Sequence, residues 1–125
     1  MAKHNPVVYF EIPVLDIERA VSFYSKVFNI EFTRTSIDGF EMALFPYDST
    51  QFGASGALAK GDVYKPSKEG VFVYFGVENI DKIIELAIQN GGQILYPKKS
   101  NGELGFVAEF EDSEGNRIAL HEPVK

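Results

Sequence analysis

The chain has 125 residues, 45% of them apolar and 24% charged, with a formal net charge of −6. That length fits one domain with a real core, and seventeen aromatics, all Phe or Tyr, argue against disorder. The acidic balance counts against non-specific nucleic-acid binding. No apolar stretch can cross a bilayer. The lack of cysteine removes disulfide scaffolds, thiolate zinc sites and cysteine nucleophiles.

Met1 to Pro6, which includes His4, has no apolar core of a signal peptide, so a cytoplasmic protein is expected. His4 reads as a terminal residue without a role. The first strand is expected over Val7–Ile12. A helix follows with Asp16 as N-cap, and Ile17, Ala20, Val21, Tyr24, Val27 and Phe28 fall on one face. Strands are predicted near Ile30–Arg34 and Phe40–Phe45, on either side of the turn Asp38-Gly39, and then over Ser55–Ala59. Residues 61–70, with Gly61, Pro66, Ser67, Lys68 and Gly70, read as a linker.

After the linker the pattern restarts. Val71–Val77 is a predicted strand, and Asn79 caps a helix carrying Ile80, Ile83, Ile84 and Ala87. Asn90-Gly91-Gly92 supplies residues able to end it in the left-handed conformation. Strands near Gln93–Tyr96, Gly105–Glu111 and Arg117–His121 complete the chain, with Ser113–Asn116 as a turn.

The halves superpose. Val14-Leu15-Asp16-Ile17 matches Val77-Glu78-Asn79-Ile80 at an offset of 63, and Gly39-Phe40 matches Gly105-Phe106 at 66. Gly53 and Ala57-Leu58 match Gly115 and Ala119-Leu120 at 62. Small loop insertions produce such drift, and a repeat of this period predicts two βαβββ modules, residues 5–60 and 71–123, in a single domain of α+β class.

Paired modules of this kind resemble the vicinal oxygen chelate superfamily, which includes glyoxalase I, bleomycin-resistance proteins and extradiol dioxygenases. The resemblance covers nearly the whole chain. It is carried by Phe10-Glu11-Ile12-Pro13, by Asp16–Ala20 with Phe23-Tyr24 and Val27-Phe28, and by Gly53–Leu58. The terminal Phe110–Leu120, with Asp112-Ser113-Glu114-Gly115-Asn116, is similar to the family's Asp-Pro-Asp-Gly-Asn ending. The resemblance implies a cup-shaped mixed sheet around a small-molecule cavity, and a homodimer that completes the cups.

Metal-dependent members place a ligand on the first and last strand of each module. Carried over by position, these fall at Tyr9, Ala57, Phe72 and Ala119, and none is an ordinary divalent-metal ligand. The resemblance therefore implies a protein without the shared metal, although a divalent ion on Glu11, Glu41 or Glu109, and His121 stays open. Glu11 and His121 lie two residues along from Tyr9 and Ala119, so both are expected to face the cup. A carboxylate among apolar neighbours and a histidine can act as acid and base. Tyr9, Phe72 and Tyr74 would wall the cup, with Ala57 and Ala119 beside them.

Gly53–Gly56 lacks the strand–loop–helix setting of a phosphate cradle, and reads as a turn with close packing between modules. Lys60, Lys65 and Lys68 read as a solvated cluster near the linker. A small-molecule-binding protein is the favoured reading, a non-enzymatic partner of a larger complex stays open as well, and three functions are weighed against each other. They are a binding or sequestering protein for a small organic molecule, a lyase, isomerase or dioxygenase-like enzyme using Glu11 and His121, and a metal enzyme with displaced ligands.

Overall fold

The computed structural model describes residues 5–124, so His4 lies outside the described residues. The order is β1 (Tyr9–Pro13), α1 (Ile17–Phe28), β2 (Thr33–Ile37), β3 (Phe40–Leu44) and β4 (Ser55–Lys60). Then come β5 (Tyr74–Gly76), α2 (Ile80–Gln89), β6 (Gln93–Ser100), β7 (Phe106–Glu111) and β8 (Arg117–Glu122).

Both helices start as their sequences dictate. The Asp16 carboxylate accepts from the Arg19 amide at 3.0 Å, and the Asn79 side chain accepts from the Lys82 amide at 3.1 Å. Each cap satisfies an amide that the first helical turn leaves free. Asn29 ends α1 in the left-handed conformation, with φ 56°. Asp38 and Gly39, both at positive φ, make the tight turn from β2 to β3.

The strands form two four-stranded sheets, in the orders β1-β4-β3-β2 and β5-β8-β7-β6. In each the first strand runs parallel to the last and the other pairings are antiparallel. Both helices pack on one side. Ile12, Phe23, Tyr24, Leu58, Phe110 and Leu120 belong to one buried cluster, so the core crosses the seam between the modules. Phe28 stacks on Phe75 at 4.8 Å and Phe23 lies 6.0 Å from Phe110.

Three strands depart from the sequence expectation. β2 begins at Thr33, because Ile30 and Phe32 turn inward and pack against the core. β5 keeps only three ladder residues, with Val71 and Phe72 before them left exposed. β6 continues through Pro97 to Ser100 and shifts register twice on the way. A proline cannot donate to a ladder, which suits this edge position.

One turn locks the seam. Between β7 and β8, the Asp112 carboxylate accepts the Tyr24 hydroxyl at 2.6 Å and the Asn116 amide at 2.9 Å. The Asn116 side chain donates to the Pro13 carbonyl at 2.7 Å and accepts the Ser67 amide at 3.1 Å. The motif that most resembles the family is here a clamp between modules.

Candidate functional site

Alternation along β1 sends Phe10 and Ile12 toward the helices, and Tyr9 and Glu11 to the opposite, open face. Met42, Ala57 and Ala59 form a small apolar floor on that face, with Tyr64 packed against it. Glu11 stands beside Ala57 across the β1–β4 ladder. One of its oxygens accepts the Tyr9 hydroxyl at 2.9 Å and the other accepts the Tyr64 hydroxyl at 2.8 Å. Burial, then the hydrogen bond and charge of Glu11, push the Tyr9 phenol up to about 12. Donation to Glu11 raises Tyr64 as well. Both phenols stay protonated at neutral pH and act as donors.

On the second sheet, Arg117, Ala119 and His121 of β8 share the open face with Glu109 of β7 and Tyr74 of β5. Ala119 pairs with Tyr74 on one side and Glu109 on the other. The Arg117 guanidinium donates to Glu109 and lies over the Phe72 ring, 5.3 Å from its centroid. The His121 Nε2 lies 2.6 Å from the Leu104 carbonyl oxygen, which can only accept, so Nε2 is the donor. Tyr9, Phe72 and Tyr74 keep 46%, 41% and 52% of their surface exposed.

The structure joins Glu11 to Tyr9, and Phe72 to Arg117. The hydrogen bonds of Glu11 and His121 run to different elements. A hollow of about 160 Å³ at the seam has Glu11 on one wall and Arg117 on another, with Lys65 at its border. Tyr64 was not singled out in the sequence, because it lies within the expected linker. Its one signal is an aromatic residue among Gly, Asp and Lys, and here the ring packs edge-on to Phe40 at 5.5 Å.

Two sequence readings need correction. Glu41 faces the helices rather than the cup, within 3.8 Å of both Arg34 and Lys60. Its neighbour Met42 takes the open face, and alternation then sends Glu41 away. The close approach at Gly56 lies within the first module. It pairs with Phe10, whose carbonyl oxygen would stand 2.1 Å from an added Cβ.

The fold implies a divalent metal held between the first and last strands of each module. Ala57, Phe72 and Ala119 offer no donor atom there. Tyr9 can ligate only as a phenolate, which its raised pKa and its bond to Glu11 oppose. Glu109 is paired with Arg117. Among the described residues no group of three or more His, Asp or Glu converges as a metal site. These residues do not fit the group.

Two βαβββ modules sharing a core, with an aromatic open face on each sheet, define the class of paired-module cup proteins. A sequence profile of the Glyoxalase/Bleomycin resistance protein/Dioxygenase superfamily matches residues 7–120. A glyoxylase-like domain-containing protein from Didymella fabae is 32% identical over 124 residues, covering 96% of this chain and 95% of the relative. The chain belongs to the glyoxalase/bleomycin resistance protein/dioxygenase superfamily.

Solved structures carry the same fold. A domain of that superfamily from Frankia sp. superposes with a TM-score of 0.73 at 17% identity, covering 96% of this chain and 98% of the other. TnmS3 from Streptomyces sp., an antibiotic-binding protein, gives 0.67 at 21% identity, covering 99% and 100%. A glyoxalase I variant from Zea mays gives 0.69 at 20% identity, with 94% of this chain aligned to 46% of that one. The chain thus spans about half the length of that glyoxalase.

Proposed function

We propose that the protein binds a small organic molecule on the open face, against Tyr9, Glu11, Phe72 and Tyr74, without the family's metal. The observation that carries this reading is the Glu11 carboxylate, held by two phenols beside Ala57 where the fold implies a metal ligand. A carboxylate among rings suits a ligand with an apolar body and a hydrogen-bond donor or cationic group. The exposed aromatics favour a homodimer in which a second copy closes the cup. TnmS3 binds an antibiotic on a chain of matching length. That likeness carries the fold, and the ligand reading rests on the residues here.

The test is tyrosine-fluorescence titration with bleomycin as the probe, alongside elemental analysis and light scattering of freshly purified protein. Saturable binding by a metal-free dimer, lost in Glu11→Ala and weakened in Tyr64→Phe, is the expected result. Stoichiometric metal, or binding indifferent to both substitutions, rejects the reading. The enzymatic alternative, a lyase or isomerase, requires turnover that both Glu11→Gln and His121→Ala abolish.

A further inference from the structure

A cavity of about 810 Å³ opens on the helix side of the sheets, at the end of the seam away from the Asp112–Asn116 turn. Its inner wall is a set of four phenylalanine rings, Phe10, Phe28, Phe45 and Phe75. Phe75 stacks on Phe28 at 4.8 Å and meets Phe10 at 5.9 Å and Phe45 at 5.7 Å. In a closed core such rings have no free face, yet Phe10, Phe28 and Phe75 are only half-buried. The volume lies within the range of about 300–1,000 Å³ found for small-molecule sites, and aromatic walls are their usual composition. Tyr74 stands where the cavity borders the open face.

The polar groups at the rim favour an occupant without charge. The Asn79 side chain accepts the Lys82 amide at 3.1 Å, and the Ser55 hydroxyl donates to the Pro46 carbonyl at 2.8 Å. Glu78 and Lys82 bring one charge of each sign to the border, and the Glu122 carboxylate stands behind them on the Ile80 amide at 2.8 Å. A charged ligand therefore gains from one rim group what it loses to another. Deeper in, the ring wall offers an ion no partner, and an unpaired charge is costly to bury.

A cover for the cavity stands at its mouth. Gly53 and Gly115 repeat each other and hold nearly the same φ, 96° and 97°. The residue before Gly115 is Glu114, whose side chain turns inward and is completely buried against the first turn of α1. The residue before Gly53 is Phe52, which borders the cavity and is fully exposed. A large apolar side chain left in water is stabilised by any contact that covers it. We infer that this cavity is a second ligand site, separate from the open face, for an uncharged aromatic molecule over which Phe52 closes. The ligand's rings pack among Phe10, Phe28, Phe45 and Phe75, and Phe52 turns inward onto them as Glu114 does in the other half.

The test uses N-phenyl-1-naphthylamine, whose emission rises in apolar surroundings, and 8-anilino-1-naphthalenesulfonate, which carries the same rings with one sulfonate. Emission titrations at two protein concentrations and backbone amide chemical shifts are the readouts. Saturable binding is expected, about ten-fold tighter for the uncharged probe, because the sulfonate finds no partner in the cavity. Its shift changes should centre on Phe28, Phe52 and Phe75. Ala54→Trp, at an exposed position on the lining, should obstruct the mouth and weaken the uncharged probe about ten-fold. Phe52→Ala, also at an exposed position, should weaken it about five-fold by removing the cover. No binding, equal binding of both probes, indifference to both substitutions, or shifts centred on Glu11 and Tyr64 would overturn the inference. Affinity that falls as the protein is concentrated would do so too, because a second copy of the chain then fills the cavity.

Discussion

Arg19 and Glu114, 95 residues apart, meet through two guanidinium–carboxylate hydrogen bonds of 2.7 and 2.9 Å, from Nε and Nη2. The Arg19 side chain stays 51% exposed whereas that of Glu114 is completely buried. The pair joins the first turn of α1 to the β7–β8 turn, and so one module to the other. Its strength lies with the carboxylate, which also takes two backbone amides.

Removing the two partners should therefore have unequal effects. Glu114→Ala is expected to destabilise the fold by about 2–4 kcal/mol, because two amides and the guanidinium lose their acceptor in a buried place. Arg19→Ala should cost only about 1 kcal/mol, since solvent screens its exposed charge. Urea unfolding of both variants measures the difference, and equal losses would contradict it.

Burial alone would raise the Glu114 carboxyl. The Arg19 guanidinium, the Asp16 amide, the Ser113 hydroxyl and the Leu15 amide more than offset this and hold it below the ordinary carboxylate value. A lowered folded-state pKa gives stability that is present above the unfolded value and lost as pH falls through the folded one. Unfolding midpoints should fall as the solution is acidified below about pH 4, and fall less in Glu114→Gln.

Tyr9 works in the opposite direction. With its phenol pushed up to about 12, the folded chain holds that proton while the unfolded chain releases it near pH 10. Stability is intact below about pH 10 and declines as pH rises toward the folded value. Phenolate absorbance should show Tyr9 ionising late, and Glu11→Gln should bring it earlier. A Tyr9 titration unmoved by that change would rule out the coupling.

Tyr24 donates its buried hydroxyl to Asp112. Burial, then the Asp112 charge, raise this phenol well above its ordinary value, so it remains a donor throughout the stable range. Tyr24→Phe should cost about 1.5–3 kcal/mol, the worth of a hydrogen bond to a charged group. Thermal unfolding checks this, and an unchanged midpoint would mean that the clamp does not depend on it.

Gly56 and Gly76 offer a paired test of packing. A Cβ at Gly56 would meet the Phe10 carbonyl and ring, whereas one at Gly76 meets nothing within 4 Å. Gly56→Ala should destabilise by about 3 kcal/mol through overpacking and backbone displacement. Gly76→Ala should stay within about 0.5 kcal/mol of wild type in chemical denaturation.

The sequence by itself determined the repeated module, both helix caps at Asp16 and Asn79, the turn at Asp38-Gly39 and the order of strands. These follow from signals within a few residues: alternation, helical spacing, capping side chains and glycines where φ turns positive. It also placed Tyr9 and Glu11 on one face, since alternation along a strand needs no partner.

Only the tertiary structure decided what those side chains meet. Tyr64 reaches Glu11 from 53 residues away, and Glu41 turns to the helices because its neighbour Met42 takes the open face. The Asp112–Asn116 turn fills one end of the seam while its repeat leaves a cavity at the other. Contacts of this kind depend on how two modules pack, and the sequence near a residue carries no record of a partner brought close by folding alone.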